Sequence, residues 1–100
     1  MDLKTLEDAM QAFVESKGWY RADSRRPQTP RSLAISLVLE ASEVLEHFQW
    51  REQSSDTAAL ASELADVLLY LLQLASLHQI DLGQAALDKL KTNAGRQWDT

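Results

Sequence analysis

From Thr57 to Ile80 the chain reads TAALASELADVLLYLLQLASLHQI, an apolar stretch whose only charges, with His78 neutral, are Glu63 and Asp66. Leu60, Leu64, Val67, Leu68, Leu71, Leu72 and Ala75 recur at helical spacing and leave little polar face, so the segment is expected as the central, buried helix. A second stretch, Pro30 to Leu45, repeats the pattern, with Glu40 and Glu43 as its only charges besides Arg31. At about 3.6 residues per turn, an i, i+3 pair points both acids to nearly the same side of a helix. Glu40 shares its side with Leu33, Leu37, Val44 and Phe48, and Glu63 stands beside Leu60, Val67 and Tyr70. Turning those apolar groups into a core turns the carboxylates inward too, whereas a solvated face would mix acids and bases along a stripe.

The rest of the chain supplies two further helices. Leu3, Leu6, Met10, Phe13 and Val14 predict helix 1 over residues 2–17, stopped by Gly18. The stretch GWYRADSRRPQT has no period and reads as an ordered or partly mobile loop. Thr29 and Pro30 form an N-cap and first-turn pair for helix 2, expected over 30–51. After the polar break EQSSD, Asp56 or Ser55 caps helix 3. Gln79 to Asp81 make a turn, and Asp81 and Gln84 are spaced like a capping box opening helix 4, which ends before Gly95. No segment alternates with a period of two. The expected fold is all-α, a four-helix bundle-like subunit in a single domain over residues 1–100, closed on itself or shared between subunits of a dimer or tetramer.

Composition removes several function classes. With no cysteine, disulfide frameworks, thiolate metal sites and zinc fingers are excluded, and a cytoplasmic location is expected. The opening MDLKTLEDAM lacks a signal-peptide core, and the uninterrupted apolar run VLLYLLQLASL is shorter than a bilayer span, so no membrane partner is expected. A net charge of −5 opposes general nucleic-acid binding, which needs a basic surface. Basic residues cluster at Lys17, Arg21, Arg25, Arg26 and Arg31, and again at Lys89, Lys91 and Arg96; solvated loops and helix ends account for many such clusters.

Several ionised carboxylates buried together repel one another and lose hydration unless a cation joins them. A hard divalent ion answers both problems, and Mg²⁺, with Mn²⁺ as substitute, suits four oxygen ligands from Glu40, Glu43, Glu63 and Asp66. A di-iron bundle would need Glu-x-x-His pairs, and neither His47 nor His78 follows a glutamate at that spacing; His47 is assigned no role. A metal held this way polarises a phosphoryl oxygen and activates water. Lys89, Asn93 and Arg96 fall at i, i+4 and i+7, one stripe of donors suited to phosphates, although a solvent-facing helix end has the same spacing. Trp19, Trp50 and Tyr70 could stack on a base, or serve a small core.

Taken together, LVLEASEVLEHFQW followed by ELADVLLYLLQLA resembles the all-α nucleoside triphosphate pyrophosphohydrolases, in their MazG-like and dCTP pyrophosphatase branch. The resemblance rests on Glu40, Glu43 and Glu46, on Phe48 to Trp50, on Glu63, Asp66 and Tyr70, and on Lys89, Asn93 and Arg96 within IDLGQAALDKLKTNAGR. It implies Mg²⁺-dependent hydrolysis of nucleoside triphosphates to the monophosphate and pyrophosphate, a house-cleaning role, and homo-oligomers. Glu40, Glu43, Glu63 and Asp66 would be catalytic metal ligands, with Trp19, Arg31, Trp50, Tyr70, Lys89, Asn93 and Arg96 binding substrate. The run QTPRSL has Gln28 and Ser32 where the family often writes His and Asn, and Gln97-Trp98 stands where Tyr-Pro is usual. The alternatives are a related all-α dUTPase or phosphoribosyl-ATP pyrophosphohydrolase, or a non-catalytic helical oligomerisation module whose acids pair with Arg21, Arg25 or Arg26.

Overall fold

The computed structural model describes residues 1–97, so Trp98 lies outside the described residues. Four helices follow in order: α1 (Leu3–Lys17), α2 (Pro30–Glu46), α3 (Thr57–Leu77) and α4 (Leu82–Ala94), with no strand among the described residues. Each N-terminus is capped by a side chain that replaces a missing backbone acceptor. Asp2 accepts from Thr5 N, Thr29 and Ser32 form a reciprocal capping box, and Asp56 accepts from Ala59 N. Asp81 accepts from Gln84 N at 3.0 Å, but Gln84 sends its amide forward to Asp88 at 2.8 Å, so the expected capping box is only half formed.

The C-termini are equally specific. Gly18, at φ 67°, ends α1 in the left-handed conformation that glycine adopts without a Cβ clash. At the end of α3, Gln79 N–H donates to the Ser76 carbonyl and Ile80 N–H to the Ala75 carbonyl, a Schellman arrangement that places Gln79 at φ 57°. Helix α2 stops at Glu46, five residues short of the expected 51, because the chain turns at His47 and Phe48 through short bonds to the Val44 and Leu45 carbonyls.

Helix α3 is central, packing along α2 and, less extensively, against α1. Met10 and Val14 of α1 meet Leu72 of α3, and Leu6, Trp19, Tyr20, Leu68, Leu69 and Leu82 surround them. Leu33 anchors α2, fully buried. Yet α3 is not buried throughout, since Leu64 and Leu71 remain exposed, and α4 has no buried residue at all. The four helices therefore do not close as one bundle: the radius of gyration is 16.1 Å, against about 13 Å for a compact domain of this length. By length and composition the 21-residue α3 would be able to cross a membrane; what distinguishes it is the pair of carboxylates in its first half and the helices packed on both sides.

Candidate functional site

The packing of α2 on α3 brings the acidic pairs to one seam. Glu40 is half-buried, and its Oε2 is fully enclosed with no hydrogen-bond partner. Burial pushes the Glu40 carboxyl above the usual glutamate range, and the charges of Glu43, Asp66 and, least, Glu63 push it further. Glu40 thus feels the charges of all three other acids. Glu63 and Asp66 are half-buried and Glu43 is exposed. Among the described residues, no group of three or more acids or histidines has already converged to hold a metal ion, so the seam is a set of mutually repelling oxygens and not a closed cage. Its donor chemistry nevertheless fits a hard divalent cation: oxygens alone, one of them enclosed and unpaired beside three further carboxylates.

His47, given no role by sequence reasoning, sits against this seam. Its Nε2 contacts Glu63 Oε2 and its Nδ1 lies 2.8 Å from Ser54 Oγ. Glu63 is separated from His47 by 16 positions, so no helical spacing could have paired them. A depression of about 290 Å³ opens here, lined by Glu43, Glu46, His47, Trp50, Arg51, Ser55 and Glu63. Trp50 is on its rim, 87% exposed.

The other two predicted rings are together elsewhere. Trp19 and Tyr70 line a depression of about 450 Å³ with Arg26, Pro27, Gln28, Ser32 and Ser36. Trp19 is steadied by an edge-on contact with Phe13, ring centroids 5.5 Å apart. The loop carrying it is fastened to α3 by Gln73, which is buried and donates to Gln28 Oε1 at 2.6 Å and to Tyr20 Oη at 3.3 Å. Sequence reading missed Gln73, although a lone amide inside YLLQLAS was the available signal. Gln28 and Ser32, the departures from the family motif, both face this depression.

The remaining predicted residues line neither depression. Arg31 lines an apolar depression with Ala34, Ile35, Val38 and Leu39, on the side of α2 away from the acids. Lys89, Asn93 and Arg96 stand on or just beyond α4 and line neither the acidic nor the aromatic depression. Arg21, proposed as an alternative partner for the acids, pairs with Asp23 at 3.0 Å instead.

Comparison with known proteins adds three findings. Residues 28–96 match the MazG nucleotide pyrophosphohydrolase domain. The chain is 37% identical to mouse dCTP pyrophosphatase 1 over 101 aligned positions, covering 92% of this chain and 58% of that protein. The human dCTP pyrophosphatase 1 is 36% identical over the same shares, so the chain spans under three fifths of the length of these relatives. A crystal structure of a pyrophosphatase from Archaeoglobus fulgidus superposes with a TM-score of 0.74 at 34% identity, covering 91% of this chain and 87% of that one.

Proposed function

Since the chain belongs to the MazG nucleotide pyrophosphohydrolase domain family, we propose that it hydrolyses nucleoside triphosphates to the monophosphate and pyrophosphate. The observation that carries this reading is the enclosed, unpartnered Glu40 oxygen among three further acids. Glu40, Glu43, Glu63 and Asp66 would hold the cation, Mg²⁺ with Mn²⁺ as substitute. When bound, that ion neutralises phosphate charge and lowers the pKa of an attacking water. Trp19 and Tyr70 offer two ring faces for a base, and the wall of Gln28, Ser32 and Ser36 supplies short polar groups to its edge. Trp50, beside Glu43 and Glu63, would shield the reacting phosphates from bulk water.

Donors from a second chain would complete the site. Lys89, Asn93 and Arg96 stand on or just beyond α4, and Arg31 lines the apolar depression on α2. Association of two or four copies would cover Val38 and Leu39, 67% and 61% exposed, and could bring donors from one copy to the carboxylates of another. Removal of unwanted or modified nucleotides in the cytoplasm is the role this assembly would serve. Incubating the purified protein with Mg²⁺ and a panel of canonical and modified triphosphates tests the reading, with monophosphate and pyrophosphate detected separately. Both products in equal amounts are expected; orthophosphate alone, or no product, would refute it.

A further inference from the structure

His47 begins the turn between α2 and α3, and two contacts hold its ring there. Its Nδ1 is 2.8 Å from Ser54 Oγ, which also accepts from Asp56 N at 3.2 Å, and Asp56 in turn caps α3 by accepting from Ala59 N at 3.0 Å. Its Nε2 meets Glu63 Oε2 one and a half turns further along α3. The two side chains are 13% and 24% exposed, so the contact is largely shielded from water. An ionised carboxylate only accepts, which requires the ring to donate from Nε2, while Nδ1 shares the Ser54 hydroxyl with the Asp56 carbonyl, 3.2 Å from that oxygen.

We infer that His47 is a positioning residue for the acidic seam, holding Glu63 by Oε2 so that Oε1 is free for the cation. The inference rests on the metal-holding reading of the four acids proposed above. Glu63 is a long, flexible side chain that must lose rotamer freedom to act as a ligand. A ring already pinned by the α3 cap supplies that order before any cation arrives. Groups hydrogen-bonded to ligating side chains characteristically change metal affinity by about 10- to 100-fold when removed.

The test is Mn²⁺ binding to the full chain without nucleotide, followed by electron paramagnetic resonance, for wild type, H47A, H47Q, S54A and D66N. Expected is a loss of roughly 10- to 100-fold in Mn²⁺ affinity for H47A. H47Q, whose amide N–H can still reach Glu63, should recover most of the affinity, and S54A should lose a few-fold. In turnover, kcat of H47A should fall at fixed Mg²⁺ while KM for nucleotide changes less than about two-fold, since the ring orients a carboxylate and not the substrate. Wild-type affinity in H47A, or tighter binding, overturns the inference while leaving the metal-holding reading intact. Failure of the wild type to bind, or full binding by D66N, overturns both. Should H47A lose its helical circular dichroism, H47Q and S54A decide: S54A binding as well as wild type, or H47Q as poor a binder as D66N, refutes the role.

Discussion

The two sides of α2 invert the usual order of a soluble helix. Toward α3 lie Leu33, Leu37 and Val44, and with them Glu40, a carboxyl oxygen sealed from water; away from it stand Ile35, Val38, Leu39 and Leu45, all exposed. A charge inside and leucines outside both oppose folding of an isolated chain. Under the proposed function the two sides would be completed differently, the inner side by a cation and the outer by an apolar surface. Substitutions that break one and spare the other separate these requirements.

The largest effect belongs to the inner side. Asp66→Asn and Glu43→Gln should lower pyrophosphate release by about 10³-fold or more, several kcal/mol of transition-state stabilisation, since each removes a ligand charge without changing shape. Circular dichroism should stay helical, because neither residue belongs to the Met10, Val14 and Leu72 cluster. Activity within a few-fold of wild type would remove these residues from the chemistry.

The outer side predicts a change in mass. Val38→Glu combined with Leu39→Glu should weaken self-association by roughly 30-fold, about 2 kcal/mol, and shift light scattering toward the single chain. If the outer side faces only water, the same pair should change neither mass nor stability, exposed substitutions ordinarily staying within about 0.5 kcal/mol. Loss of activity together with mass would support a site completed by a neighbouring copy, while loss of mass alone would leave α4 without a role at the acids.

This inversion was readable in part. Periodicity located all four helices, and acids placed among leucines pointed to the seam, because a helical repeat fixes which residues share a side. It does not fix what covers that side: Leu87 and Leu90 of α4 are apolar and yet exposed. The end of α2 was misplaced because the apolar repeat runs on through Phe48, while the backbone already turns at His47 and Phe48 onto the Val44 and Leu45 carbonyls. Trp19 and Tyr70 line one depression, while Trp50, named with them as a ring for the base, and Arg31 lie on other surfaces.

A smaller effect sharpens the electrostatic half of the comparison. Glu40 has a folded-state pKa above its ordinary range, so the folded chain holds a proton that the unfolded chain has already released. Stability of the metal-free protein should therefore fall as pH rises from the ordinary glutamate range through the raised value, and stay low above it. Thermal melts across that window should show the decline in wild type and a weaker one in Glu40→Gln. Added Mg²⁺ or Mn²⁺ at neutral pH should restore the wild type by mass action and do less for the variant. A wild-type melting temperature that rises through the same window would contradict the arrangement.

The smallest effect lies on neither side of α2 and sets the scale for the others. Gln79 closes α3 at φ 57°, a left-handed conformation that costs a residue with a Cβ on the order of 1 kcal/mol and glycine little. Gln79→Gly keeps the N–H that bonds the Ser76 carbonyl and should stabilise the chain by about 0.5–1 kcal/mol, less the extra backbone freedom glycine has when unfolded. Mass, metal response and turnover should not move. If they did, the losses at Val38, Leu39 and Glu40 could be read as general consequences of altered stability; if they stay fixed while the melting temperature rises, those losses belong to the surfaces themselves.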